Sequence, residues 1–378
     1  MKIYSEEHEI FRSSLKKFIE KEMEPNIEEW EKKRQIPRSL WKKLGQQGYL
    51  CPWVDEQYGG SGAGFEYSAI FIEEFARVNI GMGIAGQSEI MVPYIVSYGT
   101  EEQKAKWLPG CTSGDLIMAV AMTEPNTGSD LKAVRTTAGK DGDHYIINGQ
   151  KTFITNAISA DVVFVVCKTS TEDDSLTNVF SLISVDDGTP GFVKGNKLNK
   201  MGMHMEDTGE LFFDNCRVPA SNILGQEGKG FQYLMDKLQR ERLYCVIWGQ
   251  SMAERMLSEG IKYAKSREAF GQPIGTFQHN AFKIAEMATE VELGRTFTDS
   301  LITDYIQGKD IVQRVSMAKW WIAEMANRIG YQAVQLHGGY GFMEEYPIAR
   351  FYRDVRAQTI YGGTSEIMKM IISRTLGF

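Results

Sequence analysis

The hydrophobic pattern of this chain changes twice along its length, and these changes limit the folds open to it. Apolar residues recur at helical spacing over residues 1–117, give way to short runs rich in Val, Ile, Thr and Phe, and return to helical spacing at Gly228. With 378 residues the chain exceeds one ordinary hydrophobic core. We therefore predict an α+β multidomain fold with an N-terminal all-α domain over 1–117, a middle β-barrel or β-sandwich domain over 118–225 and a C-terminal four-helix bundle over 226–378.

Start and stop signals predict four helices in the N-terminal part. They are a helix capped by Ser5 and ended by Pro25, a second from Pro37 to Gly48, a third over residues 66–78, and a fourth opened by a capping box at Thr100. Between the last two, residues 78–100 carry one charged side chain, Glu89, among small and apolar residues. Such a segment is expected to be a buried helix, in which a lone charge needs a partner or a task.

The middle part has the pattern of a β domain. Its Asp141-Gly142 and Asn148-Gly149 pairs are typical of tight hairpin turns. The predicted strands are Val134–Thr137, His144–Ile154, Val162–Lys168, Val179–Val185, Gly191–Lys197 and Gly209–Cys216. Short strands at this spacing fit a small barrel or a sandwich, and the pattern leaves both open.

The C-terminal part returns to long helices, predicted over residues 228–266, 275–307, 311–338 and 364–374. Two glycine clusters accompany the last of them, in the segments Gln335–Pro347 and Tyr361–Glu366. Glycine lets the backbone approach a ligand closely, and its N–H groups can bind anions or oxyanions. The run Gly338-Gly-Tyr-Gly follows no predicted strand, so it is not a Rossmann fingerprint.

Composition and charge exclude several classes of function. The net charge is −7 with no basic block, so nucleic acid is not an expected partner. No apolar run has the length of a membrane span, and the polar N-terminus has neither a signal nor a transit pattern. The five cysteines lie far apart and the five histidines form no His-x-x-x-His pair, so we expect a reduced, cytoplasmic protein without a metal site.

The glycine-rich segments Gln335-Leu-His-Gly-Gly-Tyr-Gly-Phe and Ile360-Tyr-Gly-Gly-Thr-Ser-Glu-Ile resemble the two C-terminal signatures of acyl-CoA dehydrogenases. The resemblance covers essentially the whole chain and points to the long-chain branch. It implies a flavoenzyme that binds FAD and desaturates an acyl-CoA thioester between Cα and Cβ. It also implies electron transfer to an electron-transferring flavoprotein and a homotetramer built as a dimer of dimers.

One position departs from the commonest pattern of that family. Many members carry the catalytic glutamate directly after the Tyr of the second signature, where this chain has Gly362. In the first helix of the predicted bundle, Glu241 lies on the apolar face, where a carboxylate is costly unless it is paired or functional. On the pattern alone, a partly buried ion pair with Arg240 or Arg242 is the simpler explanation.

The segment Gln239-Arg-Glu-Arg-Leu243 resembles the Glu-Arg-Leu segment of long-chain and isovaleryl-CoA dehydrogenases, whose base lies on this helix. The resemblance implies that Glu241 abstracts the α-proton and that the β-hydride goes to flavin N5. It further implies that Gly362 donates its backbone N–H to the thioester oxygen and that Arg242 lies near the CoA. Burial should raise the pKa of Glu241 toward the working range.

Two other segments resemble cofactor-binding segments of the family. Met122-Thr-Glu-Pro-Asn-Thr-Gly-Ser-Asp130 resembles a loop beside the flavin, and Arg267-Glu-Ala-Phe-Gly271 resembles a segment that reaches the FAD of a neighbouring subunit. From composition alone, the first is a plain loop and the second a helix end. The residues that the resemblance assigns to FAD are Met122, Thr123, Ser129, Phe153, Thr155, Arg267, Phe270, Gln278, Gln335, Gly338, Gly339, Thr364 and Glu366.

The predicted substrate contacts are Ser129, Arg242, Tyr361 and Glu89. Glu89 has two interpretations. Either it pairs with a neighbouring helix, as buried charges commonly do, or it lies at the acyl pocket. In the pocket it would disfavour long alkyl chains, bind a polar acyl end or act as a second acid–base group. The length and branching of the acyl chain are not readable from the sequence.

Other functions share this sequence pattern. An acyl-carrier-protein thioester could replace acyl-CoA, and the same fold could serve a flavin oxidase or monooxygenase. A non-catalytic thioester-binding protein is the third possibility, and Glu241 argues against it because it supplies a base despite the glycine at position 362.

Overall fold

The computed structural model describes residues 3–169 and 179–378. Its N-terminal part is helical, with α1 Glu6–Glu22, α2 Ile27–Lys33, α3 Arg38–Gln46, α4 Phe65–Val78, α5 Met82–Gly86, α6 Val92–Tyr98 and α7 Glu101–Ser113. Ser5 and Thr100 close capping boxes with His8 and Gln103, as the start signals require. The sequence signals do not predict α2, which resumes after one 3₁₀ turn at Pro25 and buries Trp30.

Residues 78–100 form the expected buried helical segment, with one local irregularity. Between α5 and α6 the chain makes a π-helical turn over Gln87–Met91, so the helix contains one wider turn. Glu89 lies inside that turn and is 1% exposed. Because π-helical turns re-aim the side chains around them and are frequent at functional sites, this turn places Glu89 among the residues that need a chemical explanation.

The middle part forms one seven-stranded sheet in the order β1-β4-β2-β3-β7-β6, with β5 paired to β4. The strands are β1 Met118–Ala121, β2 Thr137–Asp141, β3 His144–Thr155, β4 Val162–Thr169, β5 Phe180–Asp186, β6 Phe192–Lys197 and β7 Thr208–Pro219. The β2–β3 ladder closes at Asp141 and His144, so the predicted Asp141-Gly142 hairpin is confirmed. The sheet buries its own apolar cluster, which includes Ile147, Val165 and Leu211.

In the sheet, two sequence-based predictions are wrong and one strand is missed. The predicted strand Val134–Thr137 ends where β2 begins, because a 3₁₀ turn comes before β2 and delays its start. Strand β1 is missed because its four residues are too few to show alternation. The pair Asn148-Gly149 is not a turn but a bulge within β3. Gly149 is needed there because a Cβ would lie 2.8 Å from the Thr136 Cα, so the glycine permits a close backbone approach.

The C-terminal part is a helical bundle, and its long helices fall within a few residues of the predicted ranges. They are α8 Gly230–Ser266, α9 Gln278–Ile306, α10 Val312–His337, the short α11 Pro347–Val355, and α12 Ser365–Thr375. A short hairpin, β8 Glu268–Ala269 and β9 Gln272–Pro273, connects α8 to α9. The apolar stripes of α8 and α10 share one core with the N-terminal helices, so α8 is the element that touches both helical parts.

A buried carboxylate joins the three parts. Asp354 of α11 accepts hydrogen bonds from Asn79 Nδ2 (2.7 Å), after α4, and from the backbone N of Met203 (2.5 Å), before β7. Burial raises the pKa of Asp354 to about 6, and Arg350 opposes that rise. This junction fixes the orientation of the helical parts relative to the sheet.

Candidate active site

Glu241 lies about one-third of the way along α8, on the face that meets the N-terminal helices. Its side chain is 7% exposed, and its Oε1 accepts a 2.7 Å hydrogen bond from Tyr94 Oη of α6. Burial raises the pKa of Glu241 to about 7, while the Tyr94 hydrogen bond and Arg242 act in the opposite direction. A carboxyl group with this pKa is half ionised near neutral pH and can serve as a base there.

Arg240 does not pair with Glu241. Its Nη2 and Nε lie 2.7 and 3.1 Å from Glu89 Oε2, and its guanidinium stacks 4.2 Å from the centre of the Trp53 ring. The explanation of Glu241 as the partner of Arg240 is therefore wrong. Glu89 has an ionic partner that the sequence does not reveal, while its Oε1 stays buried without a hydrogen bond from any described residue. Its predicted substrate role stays a prediction.

Gly362 approaches the same region from the far end of the chain. Cys245, one helical turn beyond Glu241, connects them, because a Cβ on Gly362 would lie 2.7 Å from Cys245 Sγ. Gly362 also has a φ of +64°, in the left-handed region that side chains disfavour. Glycine at this position is thus required both by the backbone and by the space around it.

Two predicted substrate residues flank this centre. Arg242 follows Glu241, is 7% exposed, and its Nε–H donates to no acceptor in the described part of the chain. Burial lowers the pKa of Arg242, and Glu241 counteracts this. A buried guanidinium with a free donor is expected to meet an acceptor on a ligand. Tyr361 is half-buried beside Gly362, and its ring centre lies 5.9 Å from Lys319 Nζ.

Four of the predicted flavin residues lie together at the ends of β1 and β3, namely Met122, Thr123, Phe153 and Thr155. The backbone N of Thr152 donates to the Thr123 carbonyl at 2.9 Å, which aligns the two segments. Behind them, Lys151 Nζ donates to the Met122 carbonyl at 3.1 Å and to Glu124 Oε1 at 2.9 Å. This buried ion pair fixes the backbone of the Met122–Thr123 segment.

The other predicted flavin residues near the sheet and α12 are more dispersed. Ser129 is exposed in the loop after β1. Thr364 caps α12, accepting a 3.2 Å hydrogen bond from the backbone N of Ile367, and Glu366 is exposed in the first turn of that helix. The structure does not bring Ser129 and Glu366 into contact with the buried centre at Glu241 within the described chain.

The remaining predicted cofactor residues lie near the other end of α8. Phe270 stands at the tip of the β8–β9 hairpin, where Phe270 and Gly271 have φ values of 54° and 82°. Two successive positive φ values are those of a type I′ turn, which presents the Phe270 ring 96% exposed. Gln278 opens α9 and Gln335 lies in the last turn of α10, both exposed.

A cavity of about 460 Å³ lies between the end of α8 and the glycine cluster after α10, and it brings together Arg267, Gly338 and Gly339. Arg267 lies 5.5 Å over the Tyr340 ring in this cavity. A Cβ at Gly338 or Gly339 would meet nothing within 4 Å, so both backbones face open space. A guanidinium beside open space of this kind is a suitable environment for phosphate oxygens.

These features fit FAD. Phe153 is 66% exposed on a strand that otherwise buries its apolar residues, so its ring offers a bare wall to a flat aromatic ring system. Arg267 offers donors for a pyrophosphate, and the two glycines leave open space beside it. The ring of Phe270, almost wholly exposed in one chain, requires a partner surface.

Several residues of this site escape the sequence analysis. Tyr94 looks like one more core aromatic in an apolar helix, so nothing in the sequence marks it as the partner of Glu241. Lys151 stands among polar residues of β3, so the sequence does not mark it as buried. In the structure it is buried opposite Glu124, with which it pairs. Lys319 does carry a signal, since it interrupts the apolar stripe of α10 in the same way that Glu241 interrupts that of α8.

The sequence matches family models over almost its whole length. The N-terminal, middle and C-terminal domains of acyl-CoA dehydrogenases match residues 5–115, 119–216 and 228–377. These matches follow the order of helical part, sheet and helical bundle described above. No helix in residues 3–169 or 179–378 has the length and apolarity needed to cross a bilayer.

Relatives agree with these models. The long-chain specific acyl-CoA dehydrogenase of Sus scrofa is 46% identical over 99% of this chain and 87% of its own length. The isovaleryl-CoA dehydrogenase of Pongo abelii is 36% identical over 98% and 88%. A crystal structure of an acyl-CoA dehydrogenase from Geobacillus kaustophilus superposes with a TM-score of 0.98 at 55% identity, covering 100% of both chains. This chain belongs to the acyl-CoA dehydrogenase family, whose members are FAD-dependent oxidoreductases that dehydrogenate acyl-CoA thioesters.

Proposed function

We propose that this enzyme desaturates its acyl-CoA between Cα and Cβ with Glu241 as the base. The observation that carries the proposal is the position of Glu241, buried on α8, hydrogen bonded to Tyr94, and one turn from the Cys245 that packs against Gly362. A carboxyl group whose pKa lies at about 7 is ionised in a useful fraction at neutral pH and is a stronger base than an exposed one. No second carboxylate is needed at Gly362.

Glu241 takes the proton that leaves Cα. Its burial excludes water, and the hydroxyl of Tyr94 donates to its Oε1, which stabilises the ionised carboxylate before the transfer and orients it. After the transfer the neutral acid remains in an apolar site, where it is stable. The electron pair of the Cα–H bond moves toward the thioester as the proton leaves.

Charge that develops on the thioester oxygen needs hydrogen-bond donors. We assign one donor to the backbone N–H of Gly362, because this amide donates to no backbone carbonyl of the described chain. Arg242, with its free Nε, is assigned to the CoA portion. FAD, when bound, supplies at N5 the acceptor for the hydride that leaves Cβ.

The partners are proposed from the same set of residues. Exposed Phe270 and the cavity at Arg267 support a cofactor site that a neighbouring subunit completes, and hence a tetramer built as a dimer of dimers. We propose electron-transferring flavoprotein as the electron acceptor and, from the five unpaired cysteines, a cytoplasmic location. The three-part division at residues 117 and 225 is likewise proposed as the domain organisation.

The test is anaerobic flavin bleaching by a panel of acyl-CoAs, with Glu241→Gln beside the wild type. The variant should keep its fold and FAD, since only one side chain changes, and should lose flavin reduction by at least about a thousandfold, as expected when the essential base is removed. Glu74→Gln is the matched control, because Glu74 is an equally buried carboxylate that pairs with Arg12 instead.

Reduction of Glu241→Gln at a rate near that of the wild type would show that the base lies elsewhere. The same panel distinguishes the remaining alternatives. Faster turnover of an acyl-carrier-protein thioester would change the assigned carrier, and rapid reoxidation of the reduced enzyme by air would indicate an oxidase. Measuring Glu89→Gln with the same acyl-CoAs tests whether Glu89 lies at the acyl pocket, because the preferred acyl chain should then change.

A further inference from the structure

Lys319 is a buried lysine in the first half of α10. It is 1% exposed, and its Nζ donates to the carbonyl oxygens of Gln358 and Gly363 at 2.9 and 2.5 Å. Within the described chain, no carboxylate oxygen lies within 4.0 Å of this nitrogen. Burial of an ammonium group without a carboxylate is costly, so its place on an otherwise apolar stripe needs an explanation.

The two carbonyl groups lie on either side of one short segment. Gln358 precedes residues 359–362 and Gly363 follows them, so a single ammonium group connects both ends of the segment that contains Gly362. A Cβ on Gly362 would lie 3.7 Å from Lys319 Cε, which means that the lysine stem packs directly against this glycine. Lys319 is therefore a direct neighbour of the proposed thioester-oxygen donor.

The segment needs such a connection. Gly362 and Gly363 have φ values of 64° and 95°, and two consecutive glycines leave a backbone with great conformational freedom. A donor to a developing oxyanion is effective only when it is already held in the correct direction. The capping of α12 by Thr364 fixes the chain after the glycines, and Lys319 supplies the corresponding fixed point before and beside them.

The charge of Lys319 has a second effect. Burial lowers the pKa of Lys319, and Arg242 acts in the same direction, while Cys245 opposes both. Because both carbonyl oxygens accept from Nζ, they favour its ammonium form. Because Lys319 is buried, its positive charge behind Gly362 stabilises negative charge at the thioester oxygen more strongly than an exposed lysine would.

We propose that Lys319 is a positioning residue for the desaturation: it holds the Gly362 amide toward the thioester oxygen and places a fixed positive charge behind that amide. This inference rests on the proposed function, in which the Gly362 N–H receives the developing charge. Lys319 does not touch the substrate. Its effect should therefore appear in the acidity of the Cα proton.

The test is exchange of the Cα protons of a bound thioester with D₂O, followed by NMR on the FAD-containing enzyme. The probe is an acyl-CoA with sulfur in place of Cβ, which has no β-hydride to lose. Lys319→Met removes both donor and charge, and Lys319→Gln keeps a donor without the charge. Exchange should fall roughly 10- to 100-fold in Lys319→Met, less than the loss of an oxyanion donor itself, with an intermediate fall in Lys319→Gln.

Asn327→Ala is the structural control. Asn327 lies two turns further along α10 and donates to the Val355 carbonyl at 3.1 Å, so its loss weakens a similar contact outside residues 358–363. It should lower the melting temperature without changing the exchange rate. FAD content and the Kd of the probe are measured for every variant, because a merely structural role of Lys319 would alter those two values and leave the exchange rate of the bound probe unchanged.

Exchange within twofold of the wild type in Lys319→Met, with FAD retained, overturns the proposal. If Lys319→Met does not fold, wild-type exchange in a folded Lys319→Gln overturns the role of the charge, and reduced exchange supports it. Failure of the proposed function has a separate readout. Exchange that survives Glu241→Gln refutes Glu241 as the base, whereas the effect of a Lys319 substitution is measured in an enzyme that retains Glu241.

Discussion

As the proposed base, Glu241 must be buried to be a strong base and must still ionise to act as one. Burial raises the pKa of Glu241 to about 7, and the hydrogen bond from Tyr94 opposes this rise more strongly than Arg242 does. The pKa of Glu241 therefore reflects a balance between burial on one side and Tyr94 and Arg242 on the other, and Tyr94 belongs to an N-terminal helix.

We expect Tyr94→Phe to shift the pH dependence of flavin reduction upward. The hydrogen bond from Tyr94 lowers the pKa of Glu241, so its loss should make Glu241 ionise at higher pH. The rate of flavin reduction should then reach half of its plateau at a higher pH. A hydrogen bond to a charged group contributes about 1.5–3 kcal/mol, which corresponds to a shift of about 1–2 pH units. The measurement is the anaerobic reduction rate from pH 5 to pH 10.

Tyr98→Phe is the control for this shift. Tyr98 also lies on α6 and its hydroxyl donates to a carboxylate, Asp236, but that pair is exposed and away from Glu241. Its profile should match that of the wild type. A profile of Tyr94→Phe that moves downward or stays in place would contradict the assignment of Glu241 as the group that titrates.

At this scale the sequence predicts charges better than it predicts their partners. Glu241 and Lys319 both interrupt apolar stripes, and that signal needs only the helical period. The pairing of Glu89 with Arg240 joins positions 151 residues apart, and no local pattern reports it. The role of Tyr94 could not be predicted, because hydrophobic periodicity does not distinguish a buried tyrosine from a buried phenylalanine.

At the scale of elements, the long helices and the strands of six residues or more were predictable, and the four-residue strand β1 was not. Helices α8, α9 and α10 each repeat the apolar period many times, whereas β1 has only four residues. The Asn148-Gly149 pair shows a second limit: the same dipeptide that makes a hairpin turn also permits a bulge, and only the approach of Thr136 decides between them.

The relation between α8 and the Gly362 segment gives a prediction about moving the base. Glu241→Ala with Gly362→Glu transfers the carboxylate to the position that many family members use. A side chain at Gly362 meets two obstacles, the φ of +64° and Cys245 Sγ at 2.7 Å from its Cβ. We therefore expect the double variant to bind FAD poorly or to reduce it very slowly.

Adding Cys245→Ala should recover part of the activity. The thiol is removed, and the nearest remaining atom of residue 245, its Cβ, lies 3.8 Å from the new Cβ, an ordinary contact. The left-handed φ still costs about 1–2 kcal/mol, so recovery should be incomplete. Flavin reduction rates and FAD content of the double and triple variants check this, and equal rates in the two would show that Cys245 is not the obstacle.

For the whole molecule, the order of helical part, sheet and bundle followed from the two changes of period. The way in which these parts meet did not, because Asp354 contacts Asn79 and Met203 across 275 and 151 positions. One contact uses the side chain of Asn79 and the other the backbone N–H of Met203, and no local sequence pattern marks either as a partner of Asp354. The same holds for Phe270, whose exposure becomes meaningful only when the hairpin that presents it is known.

We expect Arg267→Ala to lose FAD and, with it, part of the assembly. Arg267 lines the 460 Å³ cavity with the bare backbones of Gly338 and Gly339, and one chain leaves this cavity open on the surface. A guanidinium hydrogen bonded to a phosphate contributes about 1.5–3 kcal/mol, so FAD affinity should fall roughly 10- to 100-fold. The ratio of flavin to protein absorbance and the mass from light scattering are measured together, with Arg217→Ala, an exposed arginine that pairs with Asp141 on the sheet, as the control. A wild-type protein that is monomeric and still binds FAD tightly would contradict a cofactor site shared between subunits.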